Sequence, residues 1–182
     1  MTWTDLLPVA PQEMDRLWNL SIPLSDALVR LGAALLVGFA IGLDREWRNR
    51  PAGLRTHMMV SLAAAVFTLV AFDIDALVLE RDGGVTDPLR LLEAITAGVA
   101  FLAAGNIIRS GAGVEGLTTA AGLWLAGAMG LACGRGLFGL AALATVLAVF
   151  VLVGLRLLER PLNRGAARAE GAEAEDDAAS GR

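Results

Sequence analysis

Two long segments without a charged residue constrain this chain more than any other feature of its sequence. Residues 116–134 and 137–155 contain no Asp, Glu, Arg or Lys, and each is long enough to cross a bilayer as a helix. Apolar residues make up 55% of the 182 positions, which would supply about five spans of about 20 residues. The sequence therefore predicts an all-α integral membrane protein rather than a water-soluble domain.

Three shorter apolar segments complete the set of predicted spans. Each can be extended toward its N-terminal end so that its charged residues stay at a membrane surface, where an arginine can reach the headgroups. The extended spans cover residues 24–43, 53–72 and 88–108. With the two uncharged segments they predict a bundle of five transmembrane helices within residues 24–158.

The distribution of arginine predicts the orientation of this bundle. Up to Arg168, nine arginines fall on the side that holds the loops after spans one and three and the segment after span five, whereas five fall on the other side. By the positive-inside rule the N-terminus is outside and the C-terminus is cytoplasmic. Residues 1–23 are then an extracytoplasmic segment, residues 73–87 an acidic outer loop, and residues 159–182 a cytoplasmic tail whose composition predicts disorder.

The composition also excludes several classes of function. One Cys rules out a disulfide framework, and one His rules out a histidine-rich metal centre. The net charge is −4, and residues 1–169 are neutral, so there is no basic field for a nucleic acid. No P-loop is present. We expect neither an enzyme nor a resident cofactor.

Small residues recur every four positions along several spans, as in helices that pack closely in membranes. This pattern favours packing within the chain, and a homodimer face is the alternative. The glycines predicted to lie at such contacts are Gly38, Gly42, Gly98, Gly122 and Gly130.

The loop between spans one and two is the densest polar segment. Asp44 lies four residues before Arg48, and Glu46 lies four residues before Arg50, so the end of the first helix can neutralise its own charges. A charged collar that only fixes topology would explain these pairs. It would not require polar residues at the start of span two, where Arg55, Thr56 and His57 stand.

The loop between spans three and four contains a G-x-G-x-x-G pattern at residues 111–116. A dinucleotide fingerprint needs a preceding strand and an acid about 20 residues later, and this loop follows a predicted membrane helix. We therefore interpret it as a flexible turn, with Thr118 or Thr119 capping the next helix.

Together the two loops predict a functional cluster on the cytoplasmic face. Asp44 and Glu46, with Glu115 nearby, could bind Mg²⁺ weakly through carboxylate oxygens. Arg55 could instead bind an anionic headgroup together with Arg109, and could form a charge-assisted hydrogen bond with Glu46. The cluster consists of Asp44, Arg45, Glu46, Arg55, Thr56, His57, Asn106, Arg109, Thr118 and Thr119.

These segments resemble the MgtC/SapB family of bacterial inner-membrane proteins. The matching pieces extend in family order over roughly residues 26–158 and comprise residues 38–47, 51–57, 87–90, 98–105 and 116–121. The resemblance implies a five-span domain of the inner (plasma) membrane, a link to growth in low Mg²⁺ and to virulence, and modulation of the F-type ATP synthase. Larger members add an ACT-like regulatory domain after span five, where we expect only the tail here.

The resemblance departs from the family pattern in span three. Ala100 and Ala103 stand where glycine is expected, Asn106 stands where an aliphatic residue is expected, and Glu93 is an additional acid. The leading hypothesis is a modulator of ion or energy homeostasis that acts through its cytoplasmic face. A Mg²⁺ or proton transporter or channel is the alternative, although the spans contain few ionisable groups away from their ends and no evident inverted repeat.

Overall fold

A computed structural model of the chain describes residues 22–82, 87–110 and 113–154. Most of the predicted N-terminal segment and the whole predicted tail lie outside these residues. The described part contains five helices and one short hairpin: α1 Leu24–Glu46, α2 Leu54–Asp82, α3 Pro88–Ala104, β1 Ile108–Ser110, β2 Gly113–Glu115, α4 Leu117–Arg135 and α5 Phe138–Gly154.

Two helix ends differ from the sequence-based prediction. Helix α2 continues through Asp82, so most of the predicted outer loop 73–87 is helical. Its residues there include the good helix formers Ala, Leu, Glu and Arg, which continue the helix beyond the apolar span. Helix α3 ends at Ala104 instead of reaching residue 108, because Gly105 and Asn106 follow and both have low helix propensity.

The segment predicted to be a flexible turn forms a hairpin instead. Strands β1 and β2 are antiparallel, with Ile108 opposite Glu115 and Ser110 opposite Gly113. The β-branched residues Ile and Val favour extended backbone, whereas the glycines had suggested only flexibility. The pairing holds residues 108–110 and 113–115 side by side between α3 and α4.

Helices α1, α2 and α4 pack closely because glycines replace side chains at their contacts. A Cβ at Gly38 would lie 2.7 Å from Met58 Cα, and a Cβ at Gly42 would lie 2.8 Å from Leu54 Cα. A Cβ at Gly130 would overlap the Ser61 carbonyl. These approaches are those of a small-residue helix interface in a membrane.

Gly98 departs from this pattern and corrects the prediction for α3. A Cβ built there would meet no atom within 4 Å, because Gly98 lines an apolar cavity of about 470 Å³ between α2 and α3. The close contact between α3 and α4 is formed instead by Gly127, whose Cβ would lie 2.8 Å from Val99 Cγ2. Helical spacing alone did not indicate which side of α3 faces a neighbour.

The exterior of the bundle is that of a membrane protein. Helix α1, the Leu54–Ala76 part of α2 and helix α4 are each long and apolar enough to cross a bilayer, and Leu92–Ala104 and Phe138–Gly154 are shorter apolar helices. Large apolar side chains remain exposed along α5, including Val146 and Phe150. Water-soluble monomers rarely expose so large an apolar surface, and a bilayer would cover it.

Candidate functional site

The loop that follows α1 folds back on the end of that helix. The backbone N–H groups of Arg48 and Arg50 both donate to the Arg45 carbonyl at 3.2 Å, which satisfies an acceptor at the helix end. Asn49 adopts a positive φ of 51°, a conformation that asparagine tolerates better than most residues. The loop is therefore a structured turn that returns the chain to the start of α2.

The charged residues of this loop form one of the predicted pairs. Asp44 Oδ1 lies 2.7 Å from Arg48 Nη2, as their i,i+4 spacing predicts. Glu46 instead accepts a hydrogen bond from the Leu54 N–H at 2.9 Å, because the first N–H groups of α2 need an acceptor. The ion pairs of the described residues do not include Glu46 with Arg55, which is exposed, so the predicted contact does not form.

His57 lies in the interior, between α1 and α4. Its side chain is fully buried, and its Nδ1 lies 2.8 Å from the Gly53 carbonyl. Since a carbonyl oxygen only accepts, Nδ1–H donates this hydrogen bond, and Nε2 is the ring nitrogen that remains. Nε2 has no hydrogen-bond partner among the described residues, and a Cβ at Gly122 would lie 3.1 Å from it. The histidine thus occupies space that two glycine-containing helices leave open.

Below His57, further polar side chains follow the same side of α2. Ser61 Oγ donates to the Ala34 carbonyl of α1, and Thr68 Oγ1 donates to the Ala64 carbonyl, both at 2.7 Å. The sequence analysis missed these residues. Ser61 lies four positions after His57, and Thr68 lies seven positions after Ser61. This spacing was the available signal, since it places all three on one helical face.

The junction between the hairpin and α4 depends on Gly116. This residue is the N-cap of α4 and has φ +87°, a conformation that L side chains rarely adopt. A Cβ there would also overlap the Asn106 carbonyl, so the ends of α3 and α4 approach closely. The predicted cap by Thr118 or Thr119 is wrong, because the helix already begins at Leu117 and no side chain caps it.

Both polar loops contribute to one cleft of about 420 Å³ at this end of the bundle. Its walls come from the end of α1, the loop after it, Asn106 in the turn after α3, strand β2 and the first turn of α4. The lining residues are Arg45, Arg50, Pro51, Asn106, Val114, Glu115, Gly116, Leu117, Thr118 and Thr119. Four residues of the predicted cluster, Arg45, Asn106, Thr118 and Thr119, are therefore brought together.

Arg45 is the most unusual residue of this cleft. Its side chain is only 5% exposed, and its Nε has no hydrogen-bond partner among the described residues. The ion pairs of the described residues join Asp44 to Arg48 and Asp87 to Arg90, so neither involves Arg45. Burying a guanidinium N–H without an acceptor is costly, which distinguishes Arg45 from the arginines of a solvated collar.

The remaining predicted residues lie outside the cleft. Arg55 and Thr56 are exposed at the start of α2, and His57 is buried beneath. The side chain of Arg109 is not among those described. Arg50 does line the cleft, although the sequence suggested for it only a pairing with Glu46.

No group of three or more His, Cys, Asp or Glu residues in the described part of the chain could hold a metal ion. Asp44 is bound to Arg48, and Glu46 is bound to the Leu54 N–H. Any Mg²⁺ at these carboxylates would have to compete with both contacts. The described geometry is therefore that of a polar cleft rather than a preformed metal centre.

Comparison with known proteins identifies relatives over most of the chain. The model of the MgtC family matches residues 31–161. The chain is 40% identical over 146 residues to Protein MgtC of Brucella abortus, covering 80% of this chain and 58% of that protein. It is 39% identical over 144 residues to Protein MgtC of Salmonella typhimurium, covering 79% and 58% respectively.

An uncharacterized protein of Synechocystis is 37% identical over 146 residues, which cover 80% of this chain and 56% of that protein. The chain thus spans little more than half the length of the curated relatives it matches. No solved structure matches it.

Proposed function

Because this chain belongs to the MgtC family, we propose that it is a multi-pass protein of the bacterial inner membrane that modulates Mg²⁺-linked ion or energy homeostasis through its cytoplasmic face. The observation that carries this proposal is the single cleft to which both polar loops contribute. A collar that only fixed topology would not need Arg45 buried or His57 enclosed. The cleft is therefore the part of this face that we assign to function.

We assign the chain a role by binding rather than by catalysis. Among the described residues that line the cleft, no nucleophile is paired with a base. The His57 ring lies beneath the cleft and is enclosed by packed helices. Transport of Mg²⁺ or protons is the alternative. It is disfavoured because Ser61 and Thr68, two of the buried polar residues of α2, bond to helix carbonyls, and these hydrogen bonds form no continuous relay among the described residues.

The proposed partners are the lipid bilayer and a membrane protein such as the F-type ATP synthase, and a homodimer stays an alternative.

In a bacterial host lacking its own copy, Arg45→Gln and Thr118→Val should each reduce growth in low Mg²⁺ relative to the unmodified chain. They should also weaken any effect on ATP-driven proton pumping in inverted membrane vesicles. Arg90→Gln removes an equal charge at the opposite end and should have no effect.

Two results would contradict this proposal. Full activity of both cleft variants at normal expression would show that the cleft has no part in the proposed function. Flux of Mg²⁺ or protons through the purified chain in liposomes, absent from empty liposomes, would favour the transporter instead.

We also predict that Mg²⁺ binds weakly to Asp44 and Glu46. Both carboxylates have protein partners, and the positive charge of Arg45 and Arg50 nearby opposes a cation. Calorimetry on the purified chain should show an affinity that disappears when both are replaced by their amides. Replacing Asp73 and Asp75 by asparagine should change it little, and an affinity that survives loss of the inner pair would exclude this site.

A further inference from the structure

The cleft contains a buried arginine, Arg45, that takes part in neither of the ion pairs formed by the described residues. Its side chain is only 5% exposed, and its Nε has no hydrogen-bond partner among the described residues. Asp44 places a negative charge near Arg45 but is itself paired with Arg48, whereas Arg48 and Arg50 add positive potential there. An unpaired buried charge of this kind is strongly destabilising unless an anion neutralises it.

The opposite wall of the cleft supplies a second feature that favours an anion. Helix α4 is 19 residues long, has no side-chain cap and carries no acid in its first turn. The free N–H groups of a helix N-terminus, with the positive end of the helix dipole, stabilise negative charge. Thr118 and Thr119 add hydroxyl groups to the same wall.

We propose that this cleft binds a phosphate-class anion, held between the Arg45 guanidinium and the N-terminus of α4. A phosphoryl group has enough oxygens to accept bonds from the guanidinium, from backbone N–H groups and from the threonine hydroxyls together. Glu115 also lines the cleft, and its negative charge opposes that of the ligand. The inference deepens the proposed function, because it names the ligand of the same cleft.

The phosphoryl group can come from free phosphate or from a lipid headgroup, since the cleft lies at an end of the helices. The full chain purified in a maltoside detergent, which contains no phosphate, should bind inorganic phosphate saturably in calorimetry at constant ionic strength. If free phosphate is the ligand, added phosphatidylglycerol leaves this affinity unchanged. If a headgroup is the ligand, phosphatidylglycerol competes with phosphate.

The variants test whether this cleft is the binding site. Arg45→Gln should weaken phosphate binding at least about tenfold, and Arg50→Gln and Thr118→Val should each weaken it about threefold. Arg55→Gln removes the same charge at the same end but outside the cleft, so it should leave the affinity unchanged. Arg50 and Thr118 are exposed, so their variants keep the test decisive if the Arg45 variant does not fold.

Two outcomes would overturn the inference. One is the absence of saturable phosphate binding together with the absence of any effect of phosphatidylglycerol on thermal stability. The other is an affinity that falls in Arg55→Gln and not in the cleft variants. Because binding is measured without a cellular readout, phosphate binding with fully active cleft variants in cells would refute only the proposed function. Loss of cellular activity without phosphate binding would refute only this inference.

Discussion

At the scale of single residues, the fold depends on places where a methyl group has no room. Replacing Gly130 by alanine would drive its Cβ into the Ser61 carbonyl, and because the obstacle is backbone, α2 and α4 must separate. Overpacking of this kind destabilises a protein by about 1–3 kcal/mol. Reversible unfolding in mixed detergent micelles should show that loss for Gly130→Ala.

Gly98→Ala is the matched control, because its Cβ would enter the open apolar cavity between α2 and α3. Alanine also has a higher helix propensity than glycine, so this variant should be neutral or slightly more stable. Equal destabilisation by both variants would show that the packing around Gly130 does not account for the lost free energy of unfolding.

A second residue-scale prediction follows from the bond between Glu46 and the Leu54 N–H. Glu46→Ala should lower the free energy of unfolding by about 0.5–2 kcal/mol, as loss of a helix cap does. Arg55→Ala should have a small effect, because that side chain is exposed. Since the two do not interact, a double-mutant cycle should be additive, and a coupling energy above about 0.5 kcal/mol would indicate a contact between them.

The sequence predicted which side chains gather at one end but not what each one contacts. Asp44 and Arg48 could be paired from their spacing alone, because Asp44 lies in the last turn of α1 and Arg48 in the turn that follows it directly. The partner of Glu46 depends on where α2 begins, and the burial of Arg45 depends on the path of the chain from α3 to α4. Both depend on tertiary structure, so the local sequence around Glu46 and Arg45 does not determine them.

At the scale of elements, apolar runs located all five helices, whereas their ends had local causes. The end of α3 follows from Gly105 and Asn106, whose side chain donates to the Leu102 carbonyl at 3.0 Å. The hairpin between α3 and α4 was missed because its glycines indicate flexibility while its β-branched residues indicate strand. Pairing between two three-residue strands is too short to be recognised from periodicity.

The helices are also tied at the end remote from the cleft. Arg30 of α1 donates to the Gly134 carbonyl of α4 at 3.0 Å, next to the C-terminal end of that helix, where a positive charge is favourable. Arg30→Met keeps the aliphatic stem and removes the donor, so it should lower the free energy of unfolding by about 0.5–1.5 kcal/mol. Arg90→Met should be nearly neutral, because that side chain is 85% exposed and its Nε is 3.7 Å from Asp87. Equal losses in the two variants would show that the tie does not stabilise the bundle.

At the scale of the whole molecule, alternation of the helices decides which loops can meet. Successive helices that cross a layer in opposite directions bring the first and third connections to one side, and the cleft contains residues from both connections. This convergence agrees with the predicted alternation of the spans. The arginine asymmetry predicts which compartment the cleft faces.

Topology reporters test this assignment directly. A reporter fused after Arg164 should be active only in the cytoplasm, and one inserted between residues 83 and 86 only outside it. Both positions are needed, because a single result could arise from one helix that fails to cross. A C-terminal reporter active outside would place Arg45 and the cleft on the outer face. A cytoplasmic partner could not then reach them, and phosphate could bind only from the outer compartment.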